Sequence, residues 1–350
     1  MLDMPQSQVI LSCRSLWKVF GARPEFYFDT AGYAIDTDAL CARMRREGHI
    51  PAVVDASFDV HRGEIFVIMG LSGSGKSTLV RCLSRLVDAQ YGTIAFEGSD
   101  LRTASGDALI EIRRKKMGMV FQSFGLLPHL TALENVAFPL KLQGIDRAAR
   151  EARAQEMLEL VELGNRAAAF PAELSGGQQQ RIGIARSLAP DPELWFLDEP
   201  FSALDPLIRR QMQDEFLRLQ RQLQKTIVFI SHDIMEACRL ADRIALMRGG
   251  KIIQIGTPAE ILLSPADDYV ASFTADVALC RAIRVGDLAV PGEGQGDTPA
   301  FAASTPIEAV LPAIAKGARC FSIKDKPGLC LKADAVVTIL EREASRTEAN

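Results

Sequence analysis

The chain has 350 residues, long enough for one large domain and a small second one. Hydrophobic residues make up 48% and charged residues 24%, the balance of a globular protein with a sizeable core. A formal net charge of −4 provides no general basic field for nucleic acid, and no apolar run of about 18 residues is present to cross a bilayer.

The first residues, MLDMPQSQ, lack a basic stretch followed by an apolar one, so no secretory signal is expected. Strand-like runs follow at 9–13 (VILSC) and 52–60 (AVVDASFDV). Between them lies an insert, residues 21–50, in which DTDALCARMRREGH (36–49) predicts a short helix opened by Asp36 or Asp38. IFVIM (65–69) is a continuous apolar run of the kind buried in parallel sheets. Similar runs recur at 117–121, 194–197, 226–230, 243–247 and 251–255. Helical patterns separate most of them, which predicts an α/β sheet with crossover helices. Residues 123–175 carry three prolines and a helical stretch at 147–163 but no clear strand, so a helical subdomain is expected there. Residues 290–300 (VPGEGQGDTPA) suggest a linker. After it the tail predicts strand (301–303), helix (306–315), strand (319–323), turn, strand (329–332) and helix (333–343). The seven cysteines are scattered with no C-x-x-C pair, so reduced thiols packed as small apolar groups are expected.

Gly70-Leu71-Ser72-Gly73-Ser74-Gly75-Lys76-Ser77, followed by Thr78, matches G-x-x-x-x-G-K-[ST] between an apolar strand and a helical pattern. Glycines let backbone N–H groups converge on phosphate oxygens, and a helix N-terminus adds partial positive charge. Lys76 is suited to the β- and γ-phosphates, and the Ser77 hydroxyl to Mg²⁺. LWFLDEP (194–200) is an apolar run ending in two acids. A parallel strand there would bring Asp198 to the metal and Glu199 to the attacking water, although two acids at a solvated strand end are an equal alternative for this motif alone. Ser175-Gly176-Gly177-Gln178, after Leu174, opens a further helical pattern and is either a second anion-binding turn or an ordinary cap.

LSGGQ in this position resembles the signature of the ABC ATPase family, and the other motifs then fall into that family's order over about residues 9–265. The resemblance implies an α/β P-loop NTPase of ABC type, with a RecA-like core, an antiparallel β subdomain and a helical subdomain. It implies that Gln122 (VFQ) reaches the metal and the reacting phosphate, that Asp205 (SALD) sits near nucleotide, and that His232 (ISHD) is the switch histidine. Phe20 (KVFG) corresponds to the adenine-stacking aromatic, with Trp17, Tyr27 and Phe28 as nearby competitors. ATP and Mg²⁺ are the implied cofactors. One copy of each motif implies a head-to-tail homodimer, or a pair of two similar subunits, in which Ser175, Gly177 and Gln178 touch the partner's nucleotide.

Within that family, EIFVIMGLSGSGKSTLVRCLSRL (64–86), the 21–50 insert and the tail resemble the quaternary-amine uptake systems for glycine betaine, proline betaine and choline. That likeness implies a nucleotide-binding domain over 1–265 and a C-terminal regulatory or dimerisation region over 266–350, with one CBS-like α+β module at about 301–345. It also implies a membrane permease and a substrate-binding protein as partners, no nucleic acid, and a peripheral place on the cytoplasmic face of the inner membrane. An importer for another small solute, such as an amino acid, or a non-transport ABC ATPase is the alternative.

Overall fold

The computed structural model describes residues 8–28, 36–120, 125–202, 204–294 and 298–349. They form two compact units, one of Met1–His232 with Ala245–Ile252, the other of Asp233–Ile244 with Ile253–Asn350.

The first unit begins with β1 (Val9–Phe20), α1 (Thr37–Arg46), β2 (Ile50–His61) and β3 (Ile65–Met69). α2 (Lys76–Leu83), β4 (Tyr91–Phe96), β5 (Ser99–Asp100), α3 (Gly106–Lys115) and β6 (Met117–Val120) follow. Next are α4 (Ala132–Leu142), α5 (Arg147–Leu160), α6 (Gly176–Leu188), β7 (Leu194–Asp198), α7 (Pro206–Leu223) and β8 (Thr226–Ser231). β3, β7 and β8 are buried along their whole length, as continuous apolar runs require in a sheet covered on both faces. They pair in parallel in the order β3-β8-β7-β6. Trp195, Phe201, Phe216 and Phe229 pack together with ring centroids about 6 Å apart and fasten α7 to this sheet. A second, antiparallel sheet has the order β2-β1-β4-β5.

The described part of the insert, residues 21–28 and 36–50, is structured. Asp36 caps α1 by accepting from the Asp38 and Ala39 backbone N–H groups, as the sequence predicts. Cys41 and Met44 of α1 pack with Trp17, Val19, Tyr27 and Val54 over the antiparallel sheet.

Residues 125–175 are helical, but α4 runs through Pro139, a residue expected to break it. Burial of Val136, Ala137 and Leu140 outweighs the lost hydrogen bond. α4 is also anchored by Asn135, which is fully buried. Its side-chain oxygen accepts from Leu127 N, and its amide donates to the carbonyls of Leu127, Leu130 and Thr131. Asn135→Ala is expected to cost about 2–3 kcal/mol by stranding these groups. Chemical denaturation checks this, and a loss under about 0.5 kcal/mol would contradict it.

The chain continues with α8 (Ile234–Leu240), β9 (Arg243–Arg248), β10 (Lys251–Gly256), α9 (Pro258–Leu263), α10 (Asp268–Phe273) and α11 (Leu279–Ala282). Residues 245–252 of β9 and β10 belong to the first unit and extend its parallel sheet beyond β3. In the second unit follow β11 (Val290–Pro291), α12 (Leu311–Ala315), β12 (Cys320–Ser322), β13 (Leu329–Lys332) and α13 (Ala333–Ala349). Leu262, Leu279, Ile283, Val310, Phe321, Leu331 and Val336 supply its core. The expected linker at 290–300 is corrected at its start, because Val290 and Pro291 pair with β13. The expected strand at 301–303 shrinks to a single bridge between Phe301 and Ile323. The seven cysteines are free thiols. Burial raises Cys82 to about 11 and Cys238 to about 12, which keeps them protonated and inert.

Candidate functional site

β3 ends at Met69, and the chain turns through Gly70–Gly75 into α2. The turn demands glycine where it is tightest. Gly75 has φ +101, and a Cβ there would stand 2.1 Å from the Ala52 carbonyl oxygen. Gly73, at φ +77, faces open space, leaving its backbone free to approach a ligand. Lys76 is buried, and its ammonium donates to the carbonyls of Gly70 (2.7 Å) and Leu71 (3.0 Å). Burial pulls the Lys76 pKa below its ordinary value, against the opposing pull of Glu199 and Asp198. A cation that among the described residues is held by backbone carbonyls alone, above a glycine cradle, fits a polyanion.

β7 carries the acids to the same place. Ser77 Oγ donates to Asp198 Oδ1 at 3.3 Å. Glu199 follows in the left-handed region (φ +47), uncommon for a residue with a side chain. Its N–H donates to the Ile230 carbonyl of β8, and its carbonyl accepts from Ser202. This bend brings its carboxylate within 3.2 Å of His232 Nδ1.

A cavity of about 950 Å³ joins Lys76, Ser77, Glu199 and His232, while Asp198 lies outside it. Phe20 and residues 49–52 form one wall, Leu71–Gly73 and Gly75–Thr78 another, with Glu199 and His232 beyond. Of the four aromatic residues considered for base stacking, only Phe20 lines this cavity. It is 43% exposed at the end of β1, with Lys18 Nζ 4.9 Å from its ring centroid. Trp17 and Tyr27 are buried in the core, and Phe28 stacks on Tyr91.

The remaining expected residues lie elsewhere. Ser175 caps α6 reciprocally with Gln178, in a capping box with Gly176 and Gly177 between them. None of the four lines the cavity, and Ser175 and Gly176 are exposed. Asp205 caps α7 through Ile208 N and is also outside it. Ser74 faces inward at the turn, and its buried Oγ has no hydrogen-bond partner among the described residues. Gln122 lies outside the described residues. Sequence reasoning missed Arg45, His49, Ile50, Pro51, Ala52 and Gly249, which also line the cavity. The charged run around Arg45 has the pattern of an ordinary solvated helix face, so its composition carried no signal.

Burial raises the Asp198 carboxyl above its ordinary value of 3.8, with Ser77 and Arg81 partly offsetting it. A raised folded-state value means ionisation costs the fold stability as pH climbs past 3.8 through that value. Asp198→Asn removes this cost. It is expected to raise the melting temperature of the ligand-free protein at pH 8, with the gain shrinking as pH falls toward 3.8. Thermal scans across that range check it, and a lower melting temperature at pH 8 would contradict it.

A parallel sheet that feeds a glycine loop, a buried lysine and Glu199 into one cavity, with Asp198 held behind it against Ser77, is the architecture of a nucleotide-hydrolysing protein. A sequence profile of the ABC transporter family matches residues 53–202. The trimethylamine N-oxide transport system ATP-binding protein TmoW of Ruegeria pomeroyi is 57% identical over 289 residues, 82% of this chain and 84% of its own. The glycine betaine/proline betaine transport system ATP-binding protein ProV of Escherichia coli is 47% identical, over 80% of this chain and 69% of its own. Among solved structures, the dimeric ATP-binding cassette MJ0796 in a post-hydrolysis state with ADP and Pi aligns at a TM-score of 0.59. It is 32% identical and covers 71% of this chain and 98% of its own. The chain belongs to the ATP-binding subunits of ABC transporters. It binds and hydrolyses ATP. Among the described residues no helix is long and apolar enough to cross a membrane.

Proposed function

We propose that this protein energises uptake of a small solute bearing a trimethylated nitrogen, such as glycine betaine, choline or trimethylamine N-oxide. The observation that carries the substrate class is the 57% identity to a trimethylamine N-oxide system and 47% to a betaine system, each over about four-fifths of the chain. The higher identity to the former favours trimethylamine N-oxide over the betaines as a second, narrower reading.

In this reading Phe20 lies against the adenine, and the loop from Gly70 to Ser77, with Thr78, surrounds the phosphates. Ser77, Asp198 and Gln122 hold Mg²⁺, which when bound offsets phosphate charge. Glu199 orients and deprotonates a water, and His232 fixes that carboxylate. Two copies pair head to tail. Ser175, Gly176, Gly177, Gln178 and Asp205 then complete the partner's site, which accords with their distance from the cavity of their own chain. The pair docks on a membrane permease at the cytoplasmic face of the inner membrane, and a substrate-binding protein delivers the solute. The nucleotide-binding domain spans residues 1–265, with the helical subdomain at 123–175. Residues 266–350, including the CBS-like module, serve regulation or dimerisation.

Reconstitution with the permease and binding protein tests this. Trimethylated amines are expected to stimulate ATP hydrolysis and to accumulate in the vesicles. Stimulation by amino acids alone would refute it.

A further inference from the structure

Among the side chains that line the insert wall of the cavity, only Arg45 and His49 bear N–H donors. His49 is already committed. The Ala22 carbonyl can only accept, so it takes the Nε2 proton at 2.9 Å, and Nδ1 is 3.0 Å from the Tyr27 hydroxyl. Arg45 is exposed, and among the described residues no hydrogen bond or ion pair engages its guanidinium. Its carrier is nevertheless fixed. Lys251 Nζ bonds Asp38 (2.6 Å) and Thr37 (3.3 Å) at the start of α1. At its end Glu47 accepts from Tyr27 (2.5 Å) and Arg43 (2.9 Å). A five-donor cation on a pinned helix, lining the same cavity as the exposed ring of Phe20, fits a ligand that presents acceptor atoms.

We propose that Arg45 is a nucleotide-binding residue contributed by the 21–50 insert, and that its guanidinium donates to the base and ribose rather than to the phosphates. The inference rests on the reading of this cavity as the ATP site. Through Arg45 the insert adds a polar contact at the nucleoside end, where the stacked ring supplies only an apolar one.

Equilibrium binding to the full chain of ATP and, separately, of inorganic tripolyphosphate tests this, for Arg45→Ala and for Arg46→Ala. Arg46 is exposed on the same helix and does not line the cavity. Arg45→Ala is expected to weaken ATP by roughly tenfold and leave tripolyphosphate unchanged. Arg46→Ala should leave both unchanged. Unaltered ATP affinity in Arg45→Ala would overturn the proposal, and so would an equal loss for tripolyphosphate or an equal loss of ATP affinity in Arg46→Ala. The underlying site reading fails differently, because Lys76→Ala would then leave both affinities intact.

Discussion

Replacing Glu199 by Gln is expected to leave ATP affinity within about twofold while cutting turnover by roughly 10²-fold or more, the scale of a lost general base. The geometry argues for the separation of the two effects. Glu199 stands beyond the phosphate loop, held by Ile230 and Ser202 through its backbone, so the amide keeps its place. Its carboxylate sits 3.2 Å from His232 Nδ1, and a Gln side chain can preserve that contact but cannot take a proton from water. Steady-state hydrolysis with parallel ATP titration measures both quantities. Turnover within threefold of the unmodified protein would remove Glu199 from the chemistry.

Lys76→Ala is expected to weaken ATP by about 10²-fold, because a buried, charge-assisted contact to phosphate typically contributes about 2–5 kcal/mol. The effect on the ligand-free fold should be small. In that state, among the described residues, the ammonium bonds the Gly70 and Leu71 carbonyls, and burial disfavours its charge and lowers its pKa. Binding calorimetry and a thermal scan separate the two effects. Unchanged affinity would contradict the assignment of phosphate to this loop.

These two residues were legible in the sequence because their chemistry depends on local order along the chain. A glycine loop needs a strand before it and a helix after it, and 65–83 supplies all three. The paired acids were legible because β7 is an apolar run that stops abruptly at Asp198. Phe20 was harder. β1 carries register shifts between Cys13 and Leu16 and again near Lys18, so simple alternation could not tell which of its aromatic residues leaves the core. α4 was hidden by Pro139, whose local penalty is overridden by the burial of its neighbours. The role of Arg45 was invisible for another reason. Whether an arginine on a charged helix faces solvent or a cavity depends on where that helix docks, and the Lys251 contact that fixes α1 is 213 residues away in sequence.

The central claim is that ATP binds in the Phe20–Lys76–Glu199 cavity and is enclosed by the Ser175 segment of a second copy. Light scattering of the Glu199→Gln chain with and without ATP tests it most directly. The account predicts a monomer that doubles in mass when ATP is added, and no doubling when Ser175→Arg is combined with it. A chain that binds ATP yet keeps its monomer mass, or that doubles regardless of Ser175, would contradict it.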